Sequence, residues 1–156
     1  MRNIDETDAM ILRQLQRDSS LTTKELAAAV NLSPSPTFER LKRLENEGYI
    51  LKYVAVVNPL KVGDAIVALC NIRLKQHSRD YMEQFVATVM RLDEVVECYN
   101  TSGDYDFMMK LYVKSMHHYQ DFVINKLGTM ESVGSVHSVF VIDTVKNTHS
   151  IPVRID

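Results

Sequence analysis

The chain has 156 residues, of which 46% are hydrophobic and 24% charged, as is typical of a globular protein. Its formal net charge of −2 argues against a protein that coats nucleic acid through overall basicity. Because the N-terminus differs from a signal peptide and no apolar run has the length of a membrane span, a cytoplasmic protein without a membrane partner is expected. Cys70 and Cys98 lack CxxC spacing and are expected to be buried free thiols.

The segment 22–50 carries the signals of two short helices joined by a tight turn. Thr22 and Glu25 have the spacing of a capping box, which predicts the start of the first helix. Asn31 favours the left-handed conformation that ends a helix, and Ser33 followed by a proline suits the start of the next. A glycine at position 48 is a typical helix end.

The second of these helices is predicted to be amphipathic. At about 100° per residue, Phe38, Leu41 and Leu44 share one inward stripe, which leaves a polar, cationic face outward. A helix over about residues 5–18 completes a three-helix unit. Any amphipathic helix pair in water can show such a face, but the order of cap, proline, turn and basic face favours a DNA-binding helix-turn-helix.

Residues 49–57 are predicted to form a wing or connecting strand, and a domain boundary is placed near residue 60. Beyond it, strand-like and helix-like patterns alternate in the order βαββαβ. The strands are expected at 65–75, 94–101, 106–113 and 133–145, and the helices at 79–92 and after Ser115. The predicted fold class is α+β, with a winged helix-turn-helix over residues 1–60 and a ferredoxin-like αβ-plait over residues 61–156.

The helices of such a plait cover one face of the sheet and leave the other open. That open face is expected to carry Val67, Leu69, Tyr99 and Val139, which are too apolar for contact with water. A second copy of the chain is therefore expected to cover it. A two-fold homodimer would present two recognition helices to half-sites about one helical turn apart, or a multiple of it.

Three motifs together resemble the Lrp/AsnC, or feast/famine, family of prokaryotic transcription regulators. They are SPSPTFERLKRLENEGYI in the second helix, Asn58-Pro59-Leu60 followed by Gly63, and SGDYDFMMK in the second domain. The resemblance spans nearly the whole chain. It implies a nucleoid-associated regulator that binds double-stranded DNA, dimers that assemble into octamers or similar rings, and an amino-acid effector bound between dimers. It implies no other cofactor and no enzymatic activity.

Carried over from the family, the DNA-reading helix matches residues 33–47. Side chains on this helix are expected to approach DNA, with Lys42 and Lys52 as phosphate contacts. The full predicted DNA-binding set is Ser33, Ser35, Pro36, Thr37, Glu39, Arg40, Lys42, Arg43 and Lys52.

In the family, the turn that matches residues 103–106 borders the effector pocket. An amino acid needs an acceptor for its ammonium group, such as Asp104 or Asp106, and N–H donors for its carboxylate. The turn also has a purely conformational interpretation, since glycine supplies a positive φ and aspartate binds its own backbone. The predicted effector-binding set is Asn100, Thr101, Gly103, Asp104, Tyr105, Asp106, Val136 and Ser138.

This chain departs from the family pattern at two places in that set. Family members often carry threonines on the last strand, where Val136 and Ser138 stand, and Asn100 and Thr101 are more polar than the aliphatic pair of leucine-responsive members. The sequence therefore leaves open whether this chain binds a different effector or none.

The sequence gives little indication of a metal site or of catalysis. The histidines at 117, 118, 137 and 149 lack the spacing of a metal site, and no nucleophile elbow, Walker loop or GxGxxG is present. A second hypothesis remains open, in which the chain is a small-molecule-binding or catalytic αβ-plait protein whose N-terminal helices only mediate interaction.

Overall fold

In the computed structural model, residues 4–155 are described, and they form two compact units. The N-terminal unit comprises residues 4–56 and 146–155, and the C-terminal unit comprises residues 57–145. Along the chain, the change between units falls at Val57. The segment 146–155, in contrast, packs with the N-terminal unit, although the prediction placed it in the second domain.

Three helices build the N-terminal unit: α1 (Glu6–Arg17), α2 (Thr23–Ala29) and α3 (Pro34–Asn46). Their apolar side chains meet in one core, as the sequence pattern predicted for most of them. The buried members of this core are Ile11, Leu12, Leu26, Val30 and Leu44.

The predicted helix ends are present, with one exception. Thr22 and Glu25 form the capping box of α2, in which each side chain accepts from the other residue's backbone N–H. Asn31 has a φ of 56° and Gly48 a φ of 77°, so both adopt the left-handed conformation that ends a helix. Ser33 is the N-cap of α3 by backbone conformation, but its side chain makes no capping hydrogen bond.

The strand predicted over residues 49–57 is absent from the described chain. No strand among residues 4–155 lies beside this segment, so its alternating apolar pattern has no ladder to join. Ile50 packs on the helical core, but the other apolar side chains of the segment are exposed, and Leu51 retains 89% of its accessible surface.

The C-terminal segment returns to α1 through hydrogen bonds. The Gln16 side chain donates to the Ile151 carbonyl at 3.1 Å and accepts from the Ile151 N–H at 2.6 Å. Arg13 donates to the Val153 carbonyl at 3.0 Å, and the Val153 side chain packs on the helical core. These contacts explain why the segment belongs to the N-terminal unit.

The C-terminal unit is the predicted βαββαβ plait. Its antiparallel sheet has the order β2-β3-β1-β4. The strands are β1 (Ile66–Leu74), β2 (Val95–Asn100), β3 (Phe107–Val113) and β4 (Val133–Phe140). A 3-10 turn (Pro59–Val62) precedes β1, α4 (Arg79–Val89) follows it, and α5 (Met116–Asp121) continues into a π-helical turn (Phe122–Leu127).

Helices cover one face of the sheet and leave the other face open. Ala68, Cys70 and Leu111 are fully buried beneath Phe85 of α4 and Phe122 of the π-helical turn. The alternate residues form the open face, as predicted, and include Val67, Leu69, Tyr99 and Val139.

The two cysteines differ in burial, contrary to the expectation that both are buried. Both thiols are free; Cys70 is buried and Cys98 is exposed, because β2 lies at the edge of the sheet. Over the described residues, no helix combines the length and apolar character needed to cross a membrane.

Candidate nucleic-acid interface and effector turn

Helix α3 is rotated about its axis relative to the prediction. Thr37 and Leu44 are fully buried, whereas Phe38, which was predicted to point inward, keeps 49% of its surface accessible. Thr37 fits the core because its hydroxyl donates to the Ser33 carbonyl at 3.0 Å, so no polar group is left unpaired. The prediction that Thr37 contacts DNA is therefore wrong, since its side chain has no exposed surface.

In this orientation, two arginines of α3 face a buried carboxylate on α1. The side chain of Asp8 is 1% exposed and accepts from both Arg40 and Arg43 of α3. The Arg40 Nη1 lies 2.8 Å from one Asp8 oxygen and 2.6 Å from Asp5, and Arg43 binds the second Asp8 oxygen. Two arginines predicted to approach DNA are thus held within the N-terminal unit.

The protonation of this cluster fits its contacts. The hydrogen bond from the Asp8 backbone N–H, together with the Arg40 guanidinium, holds the pKa of Asp5 below its ordinary value. Hydrogen bonds to Asp5 and Asp8 raise the pKa of Arg40. Asp5 and Arg40 therefore both remain charged at neutral pH.

The outward face of α3 is less cationic than predicted. Lys42 lies outward, but its Nζ is 2.6 Å from Glu45 and 5.7 Å from the centre of the Phe38 ring. Arg40 and Arg43 are half-buried, as is Pro36. The exposed members of the predicted DNA-binding set are Ser33, Ser35, Glu39, Lys42 and Lys52.

Tyr53 was missed by the sequence analysis and ties the segment after α3 to that helix. Its hydroxyl donates to Glu45 at 2.9 Å. Burial and the Glu45 acceptor raise the pKa of Tyr53 to about 12, and hydrogen bonds from Lys42 and Tyr53 lower the pKa of Glu45. Lys42, Glu45 and Tyr53 therefore form one chain of polar contacts at the outer side of α3.

In the C-terminal unit, the turn between β2 and β3 is tightly hydrogen-bonded. Gly103 has a φ of 114°, which supports the conformational role considered for it. The Arg73 side chain donates twice to the Asp104 carbonyl, at 2.9 and 2.7 Å. The Thr101 hydroxyl donates to the Tyr105 carbonyl at 2.8 Å.

The two aspartates of the turn have different environments. Asp106 is 11% exposed; one oxygen accepts from the Leu74 N–H at 2.7 Å and the other lies 2.9 Å from His77 Nδ1. Asp104 is exposed, and its backbone carbonyl rather than its side chain is engaged by Arg73. Of the two, Asp104 is the carboxylate that is accessible to a ligand.

The structure does not bring the whole predicted effector set together. Tyr105 lies with the open face, stacked on His137 at 6.2 Å between ring centres, and the Arg73 guanidinium is 5.6 Å from the Tyr105 ring. Val136 and Ser138 point to the helix-covered face, where Ser138 donates to the Cys70 sulfur at 3.0 Å. These two residues therefore lie on the opposite face of the sheet from Tyr105.

Arg73 and His137 were missed as neighbours of the turn. Alternation along β1 from Val67 places Arg73 on the open face, and alternation along β4 places His137 beside Val139. Strand alternation could therefore have found both residues. Across the described residues, no group of three or more His, Cys, Asp or Glu side chains could hold a metal ion.

Two family models match the chain, one on each part. A model described as a winged helix-turn-helix DNA-binding domain matches residues 4–50. A model described as the Lrp/AsnC ligand binding domain matches residues 67–151.

Curated relatives match over nearly the full length. The transcriptional regulator AzlB of Bacillus subtilis is 35% identical over 150 residues, which is 96% of each chain. The leucine-responsive regulatory protein of Salmonella typhimurium is 33% identical over 98% of this chain and 93% of its own.

Solved structures agree with the fold. A transcriptional regulator of Neisseria meningitidis in complex with L-Met superposes with a TM-score of 0.93 at 34% identity, over 96% of each chain. AsnC of Escherichia coli superposes with a TM-score of 0.86 at 28% identity, over 96% of each chain.

Proposed function

Since the chain belongs to the Lrp/AsnC family of transcription regulators, we propose that it binds DNA through α3 and adjusts that binding to an amino acid held by its C-terminal unit. The observation that carries this proposal is the order of the two family matches, a DNA-binding model followed by a ligand-binding model. The proposal also agrees with the net charge of −2, because a sequence-specific regulator needs only locally placed positive charge.

The exposed face of α3 is the proposed DNA-reading surface. Ser35 and Glu39 offer hydroxyl and carboxylate groups to base edges in the major groove, and Lys42 and Lys52 offer cations to phosphates. Arg40 and Arg43 are fixed by Asp8, so their main role in the proposal is to position α3. Their half-exposed guanidinium groups remain available to the DNA backbone.

A second copy of the chain is proposed on the open face of the sheet. Leu69 and Val139 pair across β1 and β4 on this face, and Val139 is 46% exposed. Covering such apolar surface favours association. The dimer would present two α3 helices to neighbouring turns of DNA, and the proposal includes further assembly of dimers into an octamer or similar ring.

The turn at residues 103–106 is the proposed effector site. Asp104 is exposed and can accept from the ligand's ammonium group, and N–H groups near Gly103 can donate to its carboxylate. A relative whose structure contains L-Met supports an amino acid as the ligand class. The effector lies between dimers in this proposal, which would let it change assembly and, through assembly, DNA occupancy.

DNA binding is tested by the dependence of affinity on salt for DNA selected from a randomised pool by the full-length protein. Lys42→Ala should weaken binding and reduce the salt slope by about 1 for each subunit, because one phosphate contact is lost. Lys75→Ala, an exposed lysine of the C-terminal unit, is the matched control. Equal effects of the two substitutions would argue against α3 as the interface.

Effector binding is tested by thermal unfolding in the presence of each of the twenty amino acids. A ligand at a hundred times its Kd should add about 2.7 kcal/mol to the free energy of unfolding. Asp104→Asn should remove the shift, whereas Asp93→Asn, an exposed aspartate outside the turn, should retain it. If no amino acid shifts the parent protein, the effector proposal fails.

A further inference from the structure

Phe38 is the one large apolar side chain that α1, α2 and α3 leave exposed in the described part of the chain, with 49% of its surface accessible. Single exposed apolar side chains are common on protein surfaces, so exposure alone assigns no role. The position of Phe38 is what distinguishes it. It lies in the second turn of α3, on the helix that is proposed to enter the DNA groove.

The neighbours of Phe38 on the helix surface are the groups proposed to contact DNA. Ser35 precedes it by three residues and Lys42 follows it by four, so all three lie on adjoining parts of the same face. The Lys42 Nζ is 5.7 Å from the centre of the Phe38 ring. Binding of the Lys42 ammonium group to a phosphate would place the neighbouring Phe38 ring beside the base edges of the groove.

An apolar ring in the major groove has one apolar partner on the natural base pairs, the C5 methyl group of thymine. The remaining base edges in that groove present donors and acceptors that a phenyl ring cannot satisfy. We propose that Phe38 contacts a thymine methyl group and makes the protein select thymine at one position of each half-site. This inference rests on the proposed DNA-binding function and names a base that it reads.

The experiment replaces thymine by uracil, which lacks the methyl group and keeps the hydrogen-bonding edge. The probe is a duplex selected from a randomised pool by the full-length protein, with its thymines exchanged one at a time. Since burial of one methyl group changes affinity about fourfold, the parent protein should lose about fourfold at one thymine of each half-site.

Phe38→Ala should bind the thymine and uracil duplexes equally at that position, and Phe38→Leu, which remains apolar, should keep part of the difference. Both are compared at low salt, where phosphate contacts sustain binding. The inference is overturned if the parent protein discriminates at no thymine, or if Phe38→Ala discriminates as strongly as the parent does. A protein that selects no sequence from the pool would instead overturn the DNA-binding function on which the inference rests.

Discussion

Asp8 connects the stability of the N-terminal unit to the orientation of its DNA-reading helix. The carboxylate is buried, and its two oxygens accept from Arg40 and Arg43, which lie one turn apart on α3. Burying a carboxylate is unfavourable unless it is paired, and here each oxygen has a guanidinium partner. The side of α3 that carries both arginines therefore turns toward α1.

Asp8→Asn is expected to lower the free energy of unfolding by about 2 kcal/mol, because a charged hydrogen-bond partner of two arginines is lost. Urea denaturation monitored by circular dichroism measures the change. Asp5→Asn is the matched control, since Asp5 is 53% exposed and asparagine also serves as an N-cap; it should cost less than about 1 kcal/mol. Similar losses for the two variants would contradict the importance assigned to burial of Asp8.

The same residues show where prediction from sequence stopped. The helical period correctly predicted an amphipathic α3 with Leu44 in the core. It could not decide between Thr37 and Phe38 at the edge of the stripe, because that choice depends on Asp8, which lies 32 positions before Arg40 and 35 before Arg43. A long-range ion pair leaves no mark in the local pattern, so the larger apolar residue was assigned to the interior.

Glu94 in the C-terminal unit gives a prediction about pH. Its side chain is 12% exposed and accepts from Lys126 at 2.6 Å and from His118 at 3.2 Å. Burial acts to raise the pKa of Glu94, but these hydrogen bonds outweigh it and the pKa lies below its ordinary value. The unfolded chain therefore binds this proton first as the pH falls. The stabilisation by Glu94 is fully present above its ordinary pKa and is lost as the pH falls through the lowered pKa of the folded state.

Glu94→Gln is accordingly expected to destabilise the protein by about 1 kcal/mol at neutral pH, and the difference from the parent should shrink as the pH falls below the ordinary glutamate pKa of about 4.3. Urea midpoints measured across that pH range test it. Glu83→Gln is the control, because Glu83 pairs with Arg79 at an exposed position and should change stability little at any pH. A difference that persists unchanged in acid would show that the ionised form of Glu94 is not what stabilises the fold.

At the scale of elements, the two helices of the helix-turn-helix start differently. Thr22→Ala should lower the free energy of unfolding by about 1 kcal/mol, because it removes the side-chain half of a capping box. Ser33→Ala should cost less than about 0.5 kcal/mol, since the Ser33 side chain makes no capping bond. Thermal or urea unfolding of the pair measures both. Equal costs would contradict the distinction between the two caps.

Strand prediction succeeded where the chain supplies its own partners. The four strands of the plait were predicted in order because each alternates between a buried and an open face. The segment 49–57 has a similar apolar pattern but no neighbouring strand in the described chain, so the pattern alone misassigned it. Likewise, alternation would have separated Val136 and Ser138 from Tyr105, whereas family resemblance placed them together.

At the scale of the whole molecule, the order of the two units was predictable and the course of the C-terminus was not. The apolar pattern has a helical period before about residue 60 and includes alternating, strand-like segments after it. The second unit begins at Val57. The segment 146–155 has no helical or alternating apolar period from which its packing partner could be predicted. The Val153 side chain packs on the helical core, and the segment also joins the N-terminal unit through backbone groups of Ile151 and Val153. Backbone hydrogen bonds depend little on side-chain identity.

Ending the chain after Val145 is therefore expected to weaken the N-terminal unit selectively. Amides of α1 should exchange with solvent about tenfold faster or more, because hydrogen bonds to Arg13 and Gln16 are lost and each contributes about 1 kcal/mol. Amides of β1 and β3 should keep their protection, since these strands lie in the C-terminal unit. Hydrogen exchange followed by mass spectrometry separates the two sets of peptides.

Gln16→Ala in the full-length chain tests the same contact with a smaller change. It removes the side chain that both donates to and accepts from Ile151, so it should reproduce part of the α1 effect. Gln84→Ala on α4 is the matched control, an exposed glutamine in the other unit. A contact confined to the N-terminal unit cannot protect the sheet of the C-terminal unit. Equally faster exchange in α1, β1 and β3 would therefore contradict the prediction and show that the segment stabilises both units.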